Sequence, residues 1–261
     1  QADGDFINWA RAHAKGMDVK VFGTDINVSQ IQGPASMEIL AAAATGGIPS
    51  PFGYFGSAWV DFGGQEVLIT RTGYTNELGW EFYTEPHHDA HALWAHLEAA
   101  GAPHGLRMFG LDSMNIRRIE AGILNANSDF DETTTPFAVG LDRFIDMENG
   151  DFIGKAALQN AETGLRLHGL TCPGAVPRVH GAVKVDGVQV GRITAGEHSP
   201  FLQTGIGSAL MDKPGDGPGS VVMVECIDGA LHEATFCATP MYDPTSEIAR
   251  GKIVDIPKRP T

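Results

Sequence analysis

Arg71-Thr72-Gly73-Tyr74-Thr75-Asn76-Glu77-Leu78-Gly79-Trp80-Glu81-Phe82-Tyr83 is the stretch on which the reading of this chain turns. A loop punctuated by glycines brings two carboxylates and several aromatic rings to the start of a strand pattern, Trp80 to Thr84. Upstream, Ala58 to Phe62 and Val67 to Arg71 flank Gly63-Gly64 and read as a hairpin. Outside these strands the apolar spacing becomes helical. Phe6, Trp9, Ala10 and Ala14 recur at helical intervals up to Gly16, after which Asp18-Val19-Lys20-Val21-Phe22 alternates as a strand. Pro34, at a favoured first helical position, opens an Ala-rich helix that runs to Gly46-Gly47. An amphipathic helix follows from Pro86 to about Ala100, and another from Gly110 to Gly122. Strand and helix thus alternate in an α+β manner up to about Leu158.

Beyond Gly164 the pattern changes to short apolar runs separated by turn residues, such as Asp186-Gly187 and Lys213-Pro214-Gly215-Asp216-Gly217-Pro218-Gly219. Val183 to Val190 around Asp186-Gly187 reads as a hairpin whose turn residues need positive φ. This region is expected to form a small β-barrel or sandwich, with a domain boundary between Ala161 and Leu167. At 261 residues the chain has room for two such domains.

Asp and Glu number 32 against 18 Lys and Arg, a net charge of −14 that would repel phosphate backbones and anionic headgroups. No nucleic-acid or membrane partner is therefore expected. No apolar run approaches the length of a membrane span, and no leader pattern opens the chain, which begins with Gln1. Cys172, Cys226 and Cys237 are odd in number and form no C-x-x-C pair. They read as reduced thiols of a cytoplasmic protein rather than a disulfide framework or zinc ribbon.

Generic catalytic motifs are missing: there is no G-x-G-x-x-G, Walker loop, G-x-S-x-G or H-E-x-x-H. His87 and His91, with His88 and His96 nearby, have the spacing of metal ligands on one helix face. No carboxylate or Cys completes the set, so a solvated face is expected and no metal. A second polar constellation runs from Asp112-Ser113 through Arg117-Arg118-Ile119-Glu120-Ala121-Gly122 to Asn127-Ser128-Asp129-Phe130-Asp131-Glu132-Thr133-Thr134-Thr135-Pro136.

Together the two stretches resemble the T-protein (aminomethyltransferase) family of the glycine cleavage system and its tetrahydrofolate-dependent demethylase relatives. That family reads R-x-G-Y-T-G-E-x-G-x-E, then D-S-x-R-x-E-A-G, then G-N-D-x-D-E-x-T-T-P. Ile31-Gln32-Gly33-Pro34, Phe152-Ile153-Gly154-Lys155-Ala156-Ala157-Leu158 and Gly191 to Pro200 resemble three further segments of it. The resemblance implies a folate-binding α+β domain over residues 1–162, lacking its N-terminal part, and a C-terminal β-barrel domain over 163–261. It also implies transfer of a methylene or methyl group from a small one-carbon donor to N5 of tetrahydrofolate, with a lipoyl carrier protein as a candidate partner. Glu81 matches the family's pterin-facing Glu; physically, a fixed carboxylate accepts the paired N–H donors of a pterin. Arg118 matches the folate-site Arg and would hold the pterin carbonyl or orient Glu81, while Tyr74 and Tyr83 offer flat faces to the pterin or aminobenzoyl ring.

The family's catalytic Asp lies in a part expected before Asp18, so no catalytic residue is assigned within this chain. Asn76 and Asn127 each replace a family Gly. Pro240-Met241-Tyr242-Asp243-Pro244 is closer to the methyl-transferring relatives, and the negative charge opposes docking of an acidic carrier. A demethylase of a small methylated amine, sulfonium or aryl ether is therefore the rival activity. A non-catalytic folate-binding protein is the alternative from another class, although the Cys-bearing segment of such proteins is absent at Asp151 to Lys155.

Overall fold

The computed structural model describes residues 3–253. The chain divides into two compact units. One comprises the stretch up to Phe109 together with the segment from Ser246, and the other comprises Gly110–Thr245.

The first unit contains α1 (Asp3–His13), β1 (Asn27–Gln32), α2 (Ser36–Ala43), β2 (Ser57–Phe62), β3 (Gln65–Thr70), β4 (Gly79–Thr84) and α3 (Ala90–Gly101). Its strands form an antiparallel sheet in the order β1-β4-β3-β2. Period-two alternation sends Ile31, Val60, Phe62, Val67, Ile69, Trp80 and Phe82 to one face, where they cluster with Ile39 and Leu40 of α2 and Leu93 and Leu97 of α3. Each such side chain contributes roughly 1.5–3 kcal/mol on full burial, so this face holds the unit together. Asp89 caps α3 by accepting the Ala92 N–H at 3.0 Å.

Two local expectations change. Asp18 to Phe22 is not a strand, and Val19 and Phe22 are each 59% exposed. Alternation needs a partner to become a strand, and it is Asn27–Gln32 that pairs with β4 along its whole length, Ile31 opposite Trp80. The helix expected from Pro86 starts at Ala90 instead, so His87 lies in the turn before it and shares no helix face with His91. His88 Nε2 meets the Glu66 carbonyl and His96 Nε2 the Ala43 carbonyl, both within 2.9 Å, which ties these rings to the backbone.

The second unit begins with α4 (Leu111–Ala121) and a short helix α5 (Lys155–Gln159). Six strands follow: β5 (Leu167–Cys172), β6 (Ala182–Val185), β7 (Val188–Ser199), β8 (Thr204–Met211), β9 (Val221–Glu225) and β10 (Leu231–Cys237). They close into an antiparallel barrel in the order β10-β5-β8-β7-β6-β9, so the expected C-terminal barrel is present and the sandwich alternative is not. Asp186 and Gly187, at φ 49° and 79°, make the β6–β7 turn as their sequence requires. Compactness places α4 with the barrel because Ile119 packs on Ala195 and Ile206. The compact units part at Gly110, so α4 and the turn after it are counted with the barrel. Cys172 and Cys226 are buried free thiols with Sγ atoms 3.7 Å apart, and burial pushes Cys226 up to about 12.

His168 alternates in phase with Leu170 and Cys172, is only 5% exposed, and stacks on Phe236 at 5.0 Å with its Nε2 unpartnered. Burial lowers its pKa from the ordinary value, with the Asp216 charge opposing. The unfolded chain therefore binds this proton more readily than the folded one. The corresponding stability is full above the unfolded value of about 6.5 and is lost as pH falls toward the folded value. Thermal melts between about pH 7.5 and 5.5 should show Tm falling, with a shallower slope in His168→Met. An unchanged slope would exclude this ring as the cause.

Candidate functional site

Because Trp80 and Phe82 point into the first unit's core, β4 must present Glu81 and Tyr83 on the opposite face. Register aligns that face in two rows. Gln30, Glu81, Thr70 and Ser57 lie side by side across the four strands, and Val28, Tyr83, Leu68 and Trp59 form the next row. A polar row thus adjoins an apolar one, and Val28 and Trp59 are each more than half exposed. Glu81 is half-buried. Its Oε2 accepts the Thr72 hydroxyl and, at 3.5 Å, the Tyr83 hydroxyl, while Oε1 accepts no hydrogen bond among the described residues. The Thr70 and Thr72 hydroxyls, 2.5 Å apart, brace this arrangement. One carboxylate oxygen is held and the other is left to accept a donor.

The loop before β4 is shaped around Gln32. Thr75 Oγ1 donates to Gln32 Oε1 at 2.6 Å, and Gln32 Nε2 donates to the Thr72 carbonyl at 3.2 Å. The carboxamide passes so close to Gly73 and Gly79 that a Cβ on either would lie within 2.5 Å of its atoms. Both glycines are therefore steric requirements of this peg. Asn76, which stands in place of a family Gly, has φ 56°, and Asn127 has φ 64°. Asn tolerates this left-handed region better than most side chains, so both departures keep a backbone shape that Gly would permit.

Tyr83 stands beside Glu81 on β4, and Tyr74 is half-buried in the loop before that strand. Tyr54, which periodicity could not identify because it lies in an irregular loop rich in Gly and Pro, is close enough to respond to the Glu81 charge. Burial raises the Tyr54 phenol pKa and the Glu81 charge adds to this, while Arg250 and Arg71 oppose it.

Arg118 belongs to the second unit, where its guanidinium is 4% exposed. Nη1 donates to Asp129 Oδ2 at 2.5 Å and Nε to Asn115 Oδ1 at 2.9 Å. Asp129 also accepts the Asn125 N–H and, at 2.6 Å, the Thr194 hydroxyl of β7. Through Asp129, Arg118 is thus positioned in a buried chain that joins α4 and the turn after it to the barrel wall. Neighbouring Arg117 donates to Glu120 and, at 2.9 Å, to the Tyr242 hydroxyl, and its guanidinium lies over the Tyr242 ring at 5.1 Å. Glu120 is fully buried and also accepts the Ser199 hydroxyl at 2.5 Å. Gly122, at φ 68°, ends α4 against Thr239, which a Cβ would meet at 2.5 Å.

An antiparallel sheet with a carboxylate on its open face, followed by a closed six-stranded barrel, defines a two-part α+β architecture. The family description of the GCVT N-terminal domain matches residues 1–149, and that of the glycine cleavage T-protein C-terminal barrel domain matches 166–243. An aminomethyltransferase from Saccharopolyspora erythraea is 35% identical over 240 residues, 89% of this chain and 64% of that protein. A dimethylsulfoniopropionate demethylase from Ruegeria pomeroyi is 32% identical over 235 residues, 87% of this chain and 64% of that protein. The crystal structure of glycine cleavage system aminomethyltransferase T from Bartonella henselae shares the fold, with a TM-score of 0.81 at 22% identity over 93% of this chain and 67% of that one. The chain belongs to the glycine cleavage T-protein family, and it spans 64% of the length of the two relatives just named.

The geometry of the peg makes Gly79→Ala cost about 1–3 kcal/mol in urea unfolding, with part of that loss recovered when Gln32→Ala is added. Strict additivity of the two would show that Gln32 does not fill the space. Arg118→Ala should cost about 3–5 kcal/mol, because Asp129 is then left buried without its cation. A loss below about 1 kcal/mol would contradict this buried pairing.

Proposed function

We propose that this chain forms the folate-binding portion of a tetrahydrofolate-dependent one-carbon transferase, which moves a methylene or methyl group from a small donor to N5 of tetrahydrofolate. The observation that carries this reading is the Glu81 carboxylate, fixed through Oε2 by Thr72 and Tyr83 and open at Oε1 on the exposed sheet face. A pterin ring offers neighbouring N–H donors that such a carboxylate accepts as charge-assisted bonds. The apolar row of Val28, Leu68 and Trp59, with the Tyr83 ring, suits the flat remainder of the molecule.

When bound, tetrahydrofolate supplies the nucleophilic nitrogen. The residues of this chain orient it: Glu81 sets the pterin edge, Tyr83 braces Glu81, and Gln32 holds the intervening loop. Positioning of this kind accounts for much of the rate in a transfer that needs little covalent participation from the protein. Membership in a family whose relatives are named as aminomethyltransferases and a demethylase supports the reaction class.

Demethylation of a small methylated compound is the second reading. It is favoured by the net charge of −14, which opposes association with an acidic lipoyl carrier.

Calorimetric titration with tetrahydrofolate should give saturable binding that weakens at least about tenfold in Glu81→Gln, since one charged hydrogen-bond pair is lost. Equal affinities in the two proteins would remove Glu81 from the site. A donor screen on the full-length gene product then separates aminomethyl transfer from demethylation. Folate binding without turnover of any donor would favour a non-catalytic folate-binding protein.

A further inference from the structure

Arg71 is the least expected cation of the first unit. Its side chain is 92% buried by exposure of 8%, yet no carboxylate lies within ion-pair distance of it among the described residues. Buried arginines are ordinarily paired, because an isolated charge in a poorly hydrated place is costly. Here Nη1 donates to the Phe52 carbonyl at 2.8 Å, the guanidinium lies over the Trp80 ring at 5.9 Å, and Nε has no partner. Burial is also what lowers its pKa.

Two segments enclose this guanidinium. The Phe52–Gly56 loop is joined to the Arg71 backbone by the Phe55 N–H and the Gly56 carbonyl, at 3.1 and 2.9 Å, and it carries Tyr54. On the other side the Arg250-Gly251 turn approaches so closely that a Cβ on Gly251 would meet Arg71 Nη2 at 2.2 Å. Arg250 is exposed and has no carboxylate partner among the described residues. Tyr54 senses both arginines and, in the opposite sense, Glu81, whereas Arg71 senses Tyr54 but not Glu81. Tyr54 in the one segment and Arg250 in the other thus flank a buried guanidinium that has no carboxylate partner among the described residues.

We propose that Arg71, Arg250 and Tyr54 form a carboxylate-binding corner adjoining the Glu81 site, with Arg250 and the Tyr54 hydroxyl touching the carboxylate and buried Arg71 supplying fixed positive charge behind them. Guanidinium forks match carboxylates geometrically, and an unpaired pair of them in a chain of net charge −14 concentrates anions at one place. The source of the carboxylate rests on the folate reading: it is either the glutamate tail of tetrahydrofolate or a carboxylate on the one-carbon donor.

The test compares wild type, Arg250→Gln and Tyr54→Phe by calorimetry with tetrahydrofolate, tetrahydropteroate (which lacks the glutamate) and N,N-dimethylglycine, and by thermal melts with glutarate. Wild type should gain Tm with glutarate, and Arg250→Gln should lose that gain, whether or not folate binds. A glutamate-tail site predicts that Arg250→Gln weakens tetrahydrofolate about 10- to 100-fold and leaves tetrahydropteroate unchanged. A donor site predicts instead that only N,N-dimethylglycine is weakened. If glutarate shifts wild type and Arg250→Gln equally and none of the other affinities changes, the corner is not a carboxylate site. Loss of tetrahydrofolate affinity in Glu81→Gln under those same conditions would leave the folate reading standing. Absence of folate binding with the glutarate response intact would do the reverse.

Discussion

The pairing of β1 with β4, Ile31 opposite Trp80 and Gln30 opposite Glu81, is the constraint on which the first unit depends. A slip of one residue would bring Glu81 into the apolar core and turn Trp80 and Phe82 out to solvent. Burial of those two rings therefore fixes the direction of the carboxylate, and the register that stabilises the unit also sets which face Glu81 occupies. The loop preceding β4 reinforces the register. Its turn closes on Gln32 at the end of β1, so the residue that terminates one strand also shapes the entry to its partner.

The second unit uses its polar residues differently. Arg118, Asp129 and Thr194 form a buried chain from α4 to β7, and Glu120 with Ser199 forms another from the same helix to the end of that strand. Such networks contribute little net stability relative to apolar packing, but leaving one member unpaired is costly. They consequently specify how α4 seats on the barrel more than how tightly. The close approach of Gly122 to Thr239 adds a steric limit to the same helix.

Strand periodicity made β4 itself legible, whereas Glu81 was singled out by its match to the family motif. The β6–β7 turn was equally legible, because Asp186-Gly187 has few conformations that satisfy it. What the sequence hid was pairing over distance. Asn27 to Gln32 carries too few apolar residues to signal a strand, and it becomes one only because β4 offers an open edge. Arg118 and Glu120 look like ordinary helix charges until the fold brings Asp129 and Ser199 to them. Tyr54 gave no signal at all, since an irregular loop has no period from which to read a direction. The metal-like spacing of His87 and His91 failed for the complementary reason: Asp89 starts the helix between them, so four residues of sequence do not make one helical turn.

The acidity of the chain makes its cations informative. With 32 carboxylates against 18 basic side chains, an arginine placed without regard to function would easily find an acidic neighbour. Arg117, Arg118 and Arg178 do so, with Glu120, Asp129 and Glu225. Arg71 does not, despite being shielded from water by Trp80, the Phe52 carbonyl and the Gly251 turn. At an effective dielectric of ~20, a carboxylate about 4 Å away would stabilise such a charge by roughly 4 kcal/mol. A fold that forgoes that gain at Arg71 while taking it at Arg118 leaves one fixed positive charge in the first unit without a counter-ion among the described residues.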